Sequence, residues 1–309
     1  MRLPWPGIRI DSVKAVLFGS SFSLGMALND EDTFSARLNQ QLGPVIYNAA
    51  SIPPFNHDLH ADQFIETARA VGIKKGWIVL EVLNRDPIKF SPPSSGNPLL
   101  ILVRQWLKQN ILVRKFSPAI SLCRRIIFPA ALVRVSTILN MRLQNDKLLP
   151  NPSKNECSEE QLITGRHMLV YSMDKEIAQN PASPQATADS LILLRDELGR
   201  HGYHLAVILL PNAYSVYYPL YRNHPANDAS AGYMTELTAR LSGDKVPVLN
   251  LLPTLRDAAR KELNDGRMIY YSDDAHWNRL GCAIAANSTA PWLEPLLRGS
   301  NSAGANLLP

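Results

Sequence analysis

A serine near the start of the chain follows a short apolar run, and its hydroxyl could act as a nucleophile. Residues 13–18 form that run, interrupted only by Lys14, and Gly19, Ser20 and Ser21 follow it. The run predicts a buried strand. A serine at the end of a first strand is lifted out of the sheet, where a base from another segment can take its proton. Because Gly and Ser are also common turn residues, this stretch on its own is better explained as a polar turn.

A second stretch, near the far end, supplies the residues that a nucleophilic serine requires. Residues 270–281 contain Asp273, Asp274 and His276 just before a segment with a helical pattern. A general base needs an imidazole whose other nitrogen is held by a carboxylate, and Asp-x-His or Asp-x-x-His on a turn supplies both. A surface loop that merely caps a helix would also use Asp and Asn. Considered together, the two stretches favour a Ser-His-Asp arrangement.

The two stretches resemble the opening and closing sequence blocks of the SGNH, or GDSL-like, hydrolases. Residues 19–22 are similar to the opening Gly-Asp-Ser-Phe/Leu block, and residues 273–281 are similar to the closing block. Two middle blocks are recognisable by their position, at residues 45–51 and 78–86. The resemblance covers the chain from about residue 13 to residue 297, with one large insertion.

The resemblance implies a serine esterase or O-acyltransferase that acts on O-acyl, in particular acetyl, esters of a carbohydrate. Its catalytic residues would be Ser21, His276 and Asp274, with Asp273 as the alternative acid. His276 would take the proton of Ser21, which attacks the ester carbonyl and forms an acyl-enzyme that water or a sugar hydroxyl resolves. Neither a cofactor nor a metal is expected. The residues expected to bind the oxyanion or the substrate are Ser20, Asn84, Arg85 and Asn212.

Three positions depart from the pattern of the family. Ser20 stands where the family has Asp, and the oxyanion glycine falls near Pro53, which has no backbone N–H to donate. Arg85 aligns with the oxyanion asparagine. Its charge could stabilise an oxyanion, or it could simply pair with Glu81 or Asp86, and both interpretations stay open. These departures also leave open a catalytically inactive binding protein with the same fold.

One branch of the family is more similar than the rest in the style of its motifs. The Asp274-x-His276-Trp277 spacing and the strand end from Glu81 to Arg85 are similar to the branch that O-acetylates bacterial polysaccharides such as alginate. In the alginate proteins the Asp-x-His-Trp segment precedes the serine, whereas here it follows the serine. The similarity to this branch is therefore partial.

Aliphatic runs alternate with helical patterns along the chain. The runs predict strands at residues 13–18, 45–49, 77–83, 204–210 and 246–252, and the patterns predict helices at residues 59–71, 159–180, 183–201, 233–241, 254–263 and 278–297. This alternation predicts an α/β fold, a three-layer α/β/α sandwich with a flavodoxin-like, five-stranded parallel sheet. Ligands of such sheets bind beyond the carboxyl ends of the strands, which is where the sequence puts Ser21, Asn84, Arg85, Asn212 and His276.

Size and composition are those of an ordinary globular protein. The 309 residues are 46% hydrophobic and 19% charged, which predicts a single domain over residues 1–309 with one elaboration. The three cysteines are scattered, without the spacing of a metal site. The expected partner is a small-molecule or carbohydrate ester, and the oligomeric state is left open.

A basic insertion at residues 88–150 interrupts the alternating pattern. Between residues 87 and 145 there are nine basic residues and no acidic one, although the whole chain carries 32 basic and 27 acidic residues. Leu, Ile and Trp lie among the basic residues, as in a membrane-surface helix. Residues 99–145 could therefore contact a membrane, or form a helical cap on the core, or attract an anionic polysaccharide, and a membrane-associated assembly protein is a further alternative. Nucleic-acid binding is not expected, since the basic residues alternate with long aliphatic ones.

Targeting signals are missing from the chain as written. The first eight residues lack the apolar core of a signal peptide, and no apolar run approaches the ~18 residues of a membrane span. This predicts a cytoplasmic location, or a membrane-associated or exported protein if the start codon is misassigned.

Overall fold

The described part of the chain forms one compact unit. The computed structural model describes residues 12–43, 45–50, 58–84, 88–91, 157–224 and 228–299. Apart from Ser91, all of these belong to a unit made of residues 1–90 and 155–309. The predicted insertion at residues 88–150 lies outside the described residues except for 88–91, and so do its segment 99–145, Pro53 and Arg85.

A five-stranded parallel sheet lies at the centre of this unit. The strands of the described chain are β1 (Ala15–Phe18), β2 (Ile46–Asn48), β3 (Asp58–His60), β4 (Gly76–Leu83), β5 (Lys89–Ser91), β6 (Cys157–Gln161), β7 (His167–Tyr171), β8 (Tyr203–Leu210) and β9 (Val248–Asn250). The central sheet has the order β2-β1-β4-β8-β9, and each neighbouring pair is parallel. The predicted five-stranded parallel sheet is confirmed.

The strands of this sheet are apolar because both of its faces are covered. All four residues of β1 are buried, as are seven of the eight residues of β8. β4 pairs with β1 from Ala15–Trp77 to Phe18–Leu80, and with β8 from Gly76–Tyr203 to Leu83–Leu210. β1, β4 and β8 therefore form the centre of the core, and their carboxyl ends meet at one edge of the sheet.

Helices flank the sheet, as the predicted three-layer fold requires. Within the described ranges they are α1 (Ser21–Leu24), α2 (Phe34–Leu42), α3 (Ala61–Ala70), α4 (Ser172–Gln179), α5 (Pro184–Arg200), α6 (Ala213–Tyr217), α7 (Ala229–Gly243), α8 (Leu252–Asn264) and α9 (Arg279–Gly299). α2 packs against α9, and α5 packs against α7 and β8. The first and last long helices of the unit are thus neighbours, which brings the two ends of the described chain together.

Side chains fix both the start of α2 and its connection to β2. The Thr33 hydroxyl accepts the N–H of Ala36 at 3.4 Å, as an N-cap residue does. The buried Asn39 side chain donates to the carbonyl of Ile46 at 2.9 Å and accepts the N–H of the same residue at 2.9 Å. Asn39 therefore replaces a neighbouring strand at this point and holds β2 against the helix.

A β-hairpin replaces the first part of a predicted helix. Residues 159–180 were expected to be helical, but β6 and β7 pair antiparallel across residues 157–171, and the helix α4 begins only at Ser172. The turn contains Gly165, whose φ of +82° favours glycine. In β7, Met168 and Val170 are buried while His167 is exposed, which is the alternation of a half-buried strand. The helix prediction was wrong here because the two adjacent glutamates of β6 interrupt the polar-apolar alternation that indicates a strand.

The Cys282 thiol should be inert in the folded protein. Cys282 is fully buried, and burial raises the pKa of its thiol from 9.0 to about 12. The thiolate is the reactive form, so a pKa about three units higher leaves about 10³-fold less of it near neutral pH. In a Cys123→Ser, Cys157→Ser variant, which keeps only this thiol, an aromatic disulfide reagent should react slowly in native buffer and rapidly in denaturing urea. Equal rates would show that Cys282 is accessible in the folded state.

Candidate active site

The turn after β1 carries Ser21 out of the sheet. β1 ends at Phe18, and Ser20 is the N-cap of the short helix α1, its hydroxyl accepting the N–H of Phe22 at 3.3 Å. The helix ends at Leu24, and its C-cap, Gly25, has a φ of +75°, in the left-handed region. Ser21 is the first residue of α1 and is half-buried. Its hydroxyl therefore lies just beyond the carboxyl end of a central strand.

The loop before α9 carries the histidine to the same place. Tyr270 and Trp277 form an antiparallel bridge, and inside it the N–H of Tyr271 donates to the carbonyl of His276 at 3.1 Å. Asn278 closes the loop, since its Nδ2 donates to the carbonyl of Met268 at 2.6 Å. Its Oδ1 accepts the N–H groups of the first turn of α9. The loop is therefore held at both ends by hydrogen bonds.

Hydrogen bonds connect Ser21, His276 and Asp274. Nε2 of His276 lies 2.6 Å from Oγ of Ser21, and Nδ1 lies 2.6 Å from Oδ1 of Asp274. The same carboxylate oxygen accepts the backbone N–H of His276 at 3.1 Å. Because an ionised carboxylate only accepts, Nδ1 carries the hydrogen and Nε2 is left to accept the proton of the serine. This is the geometry in which an imidazole can act as a general base towards a serine hydroxyl.

Aromatic rings fix the imidazole from one side. The ring of Phe22 lies 4.9 Å from the ring of His276 and 5.2 Å, edge-on, from that of Trp277. Trp277 is buried, and Phe34 lies 5.4 Å from it on α2. The residue after Ser21 and the residue after His276 therefore pack on each other. This contact holds the two segments of the candidate site in one arrangement.

Glu81 lies buried beneath the serine turn, on β4. Its Oε1 accepts the N–H of Ser20 at 3.1 Å and also the Ser20 hydroxyl, and its Oε2 accepts the Ser23 hydroxyl. Glu81 is 2% exposed, and burial raises the pKa of its carboxyl, while the hydrogen bonds from the two serines lower it. The sequence carried a signal for this residue, because it is a single carboxylate inside an otherwise apolar strand. Its contacts with the serine turn were nevertheless missed.

Two predicted substrate-binding asparagines take part in a buried network. The Nδ2 of Asn84 donates to the hydroxyls of Ser230 at 2.5 Å and Ser215 at 3.4 Å. Asn212 caps α6 by accepting the N–H of Ser215 at 2.8 Å, and its amide donates to the carbonyls of Asn84 and Asp174. In this conformation both asparagines, which are at most 4% exposed, satisfy internal groups. Their predicted role towards an oxyanion stays a prediction.

The remaining predicted site residues are Ser20, Asp273 and Arg85. Ser20 donates both its N–H and its hydroxyl to Glu81, so its predicted contact with a substrate also stays a prediction. Asp273 lies beside Asp274 on the loop, but the oxygen within 2.6 Å of Nδ1 belongs to Asp274. Arg85 is outside the described residues.

The described ranges contain neither a metal-binding cluster nor a membrane-spanning helix. There, no group of three or more His, Cys, Asp or Glu side chains is arranged to hold a metal ion. Every helix of those ranges is too short or too polar to cross a bilayer.

The second half of the chain is similar to one family of SGNH hydrolases. Residues 168–306 match the model of the SGNH hydrolase-like domain of the acetyltransferase AlgX. The match includes Asp274 and His276 and begins after Ser21. The predicted resemblance to SGNH hydrolases of the acetyltransferase branch is confirmed over these residues. No curated protein matches the chain.

Solved structures with a similar fold include several esterases. A lipolytic protein of the G-D-S-L family from Desulfitobacterium hafniense is 11% identical, with a TM-score of 0.42, over 91% of this chain and 99% of that one. The carbohydrate acetylesterase Est24 from Sinorhizobium meliloti is 10% identical, with a TM-score of 0.39, over 92% and 99%. The YXIM protein from Bacillus subtilis is 9% identical, with a TM-score of 0.42, over 92% of this chain, which spans 56% of that protein.

Proposed function

We propose that this protein is a serine esterase or O-acyltransferase that acts on acetyl esters of a carbohydrate through Ser21, His276 and Asp274. The observation that carries the proposal is the continuous hydrogen-bond path from Asp274 through the imidazole to the serine hydroxyl, with both heavy-atom distances at 2.6 Å. A serine hydroxyl is a weak nucleophile, and a base held in this orientation is the usual means of activating it.

The reaction has two halves that use the same imidazole. In the first, Nε2 of His276 takes the proton of Ser21 while Oγ bonds to the acyl carbon, and the protonated imidazole then gives the proton to the departing sugar oxygen. In the second, His276 takes a proton from water or from a sugar hydroxyl, whose oxygen bonds to the acyl carbon. The bond to Oγ then breaks and the proton returns to Ser21. Asp274 stabilises the imidazolium in both halves.

The nature of the acyl group and of its carrier is inferred from the family match. The matched domain is that of an acetyltransferase, which favours an acetyl group. The carbohydrate follows from the resemblance of the Asp274-x-His276-Trp277 segment to the polysaccharide-acetylating branch. Hydrolysis and transfer differ only in the acceptor that enters the second half.

Covalent trapping of the serine tests the proposal. A serine-directed fluorophosphonate should add its phosphonyl group to the purified full-length protein, and peptide mass spectrometry should locate the group on Ser21. The Ser21→Ala variant should stay unlabelled, and Ser23→Ala, which keeps the nucleophile, should still be labelled. No labelling of the wild-type protein, or equal labelling of Ser21→Ala, would overturn the proposal and favour an inactive binding protein.

An acceptor assay then distinguishes hydrolysis from acyl transfer. With an acetylated oligosaccharide as donor, a hydrolase releases acetate at a rate that an unacetylated oligosaccharide does not change. A transferase instead moves the acetyl group to the added oligosaccharide, and acetate release falls as the acceptor concentration rises. Mass spectrometry of the oligosaccharides distinguishes the two outcomes.

A further inference from the structure

The turn that carries Ser21 is held from both strands that flank β1. On one side, Asn48 at the end of β2 donates to the carbonyl of Ser23 at 2.8 Å. On the other side, Glu81 of β4 accepts hydrogen bonds from Ser20 and from the hydroxyl of Ser23. Ser21 lies between the two serines that the Glu81 carboxylate binds. The position of its hydroxyl is therefore determined by contacts on both sides of it along the chain.

The space that Glu81 occupies exists because residue 19 is a glycine. A Cβ at Gly19 would lie 2.8 Å from Oε2 of Glu81, 2.8 Å from Oγ of Ser23 and 2.9 Å from Cβ of Glu81. Contacts shorter than 3.0 Å do not occur for real Cβ atoms without a shift of the neighbours. The carboxylate therefore lies directly under the backbone of the turn, in a place that any other residue at position 19 would obstruct.

We infer that Glu81 is a positioning residue for the nucleophile, whose carboxylate holds Ser20 and Ser23 so that the Ser21 hydroxyl stays within reach of His276. This inference rests on the proposed function, since it assigns Glu81 to the same reaction. Glu81 acts through the turn and has no contact with the reacting atoms. Its carboxylate accepts hydrogen bonds from Ser20, before Ser21 in the chain, and from Ser23, after it.

A carboxylate suits this position better than an amide because both of its oxygens accept. Three hydrogens point at Glu81, from the Ser20 N–H, the Ser20 hydroxyl and the Ser23 hydroxyl. Glutamine has the same shape but only one accepting oxygen, so at least one serine hydroxyl would have to rotate and accept from the amide instead of donating to it. Among the described residues, Tyr270 and Cys282 interact electrostatically with Glu81, and burial raises the pKa of both, which keeps them neutral near pH 7. The hydrogen bonds thus depend on Glu81 itself.

The Glu81→Gln variant tests the inference with the full-length protein. We expect its second-order rate constant for fluorophosphonate labelling, and its kcat for p-nitrophenyl acetate, to fall by about 10- to 100-fold, because small displacements of a nucleophile have effects of this size. KM should change little, since the substrate-binding surface is intact. The matched control is Glu197→Gln, which replaces another mostly buried glutamate, on α5, and should keep wild-type rates.

A double-mutant cycle separates positioning from a general loss of stability. If Glu81 acts through Ser23, the combined loss of labelling rate in Glu81→Gln, Ser23→Ala should be clearly smaller than the product of the two single losses. Should Glu81→Gln fail to fold, Ser23→Ala alone carries the test and must be labelled at least about threefold more slowly than the control Ser242→Ala on the exposed side of α7.

Several results would overturn the inference, and each is distinguishable from failure of the proposed function. If the wild-type protein is labelled at Ser21 and Glu81→Gln is labelled equally fast, Glu81 has no positioning role. Losses that simply multiply in the double variant contradict action through Ser23. If the wild-type protein itself is not labelled, the proposed function fails, and the role of Glu81 in it fails with it.

Discussion

Replacing Asp274 with asparagine is expected to lower the kcat for ester hydrolysis by about 10⁴-fold. Oδ1 of Asp274 lies 2.6 Å from Nδ1 of His276 and fixes the hydrogen of the imidazole on that nitrogen. An asparagine amide that donates to Nδ1 would move the hydrogen to Nε2. The nitrogen that faces Oγ of Ser21 could then no longer accept the proton. Binding of the ester should change little, so that most of the loss appears in kcat.

The neighbouring acid provides a matched control for this prediction. Asp273→Asn removes the same charge from the same loop, one residue away, and should keep kcat within about threefold of the wild-type value. Initial rates with p-nitrophenyl acetate, measured for both variants with unfolding curves to show that they fold, decide between the two acids. A large loss in Asp273→Asn with a small one in Asp274→Asn would move the role to Asp273.

Replacing Gly281 with alanine is expected to lower the free energy of unfolding by about 3 kcal/mol or more. A Cβ at this position in α9 would lie 2.1 Å from the carbonyl oxygen of Ile269 and 3.0 Å from Cβ of Trp277. The Ile269 carbonyl cannot simply move away, because it accepts the N–H of Asn278 at 3.1 Å and so closes the loop that carries the histidine. The strain should therefore spread into that loop and lower esterase activity as well.

A glycine in an open part of another helix serves as the control. A Cβ at Gly232, inside α7, would meet no atom within 4 Å. Gly232→Ala should therefore raise the free energy of unfolding by about 0.5–1 kcal/mol, because alanine loses less conformational freedom in a helix. Urea unfolding of the two variants measures both changes. A similar, small change in both would mean that α9 and Ile269 separate at little cost.

The sequence carried most of the information needed for the central sheet and for the order of the candidate site. Aliphatic runs at five places predicted the five parallel strands, because strands buried on both faces need apolar side chains throughout. The placement of Ser21 beyond a strand end followed from the same pattern. The same expectation for His276 was wrong, because His276 follows no strand of the sheet and reaches Ser21 from the loop between α8 and α9. The separate roles of Asp273 and Asp274 needed coordinates, since both spacings to the histidine are compatible with a turn.

Contacts between remote segments could not be predicted in the same way. Glu81 reaches the serine turn only because β4 lies beside β1 with Leu80 opposite Phe18, and no local pattern fixes that register. Asn84 was placed correctly at a strand end, but its amide is directed by Ser215 and Ser230, which are more than 100 residues away along the chain. The hairpin of β6 and β7 was missed because the adjacent Glu159 and Glu160 interrupt the alternation of polar and apolar residues that indicates a strand.

The distance along the chain between Ser21 and His276 has a consequence for how activity appears during synthesis. The two residues are 255 positions apart, yet their side chains share a hydrogen bond. A ribosome-bound chain therefore contains its nucleophile long before its base has been translated. Contacts between residues so far apart in the sequence also form late in folding. Catalytic competence should thus be among the last properties that a nascent molecule acquires. Fragments released early would carry the serine without the group that activates it.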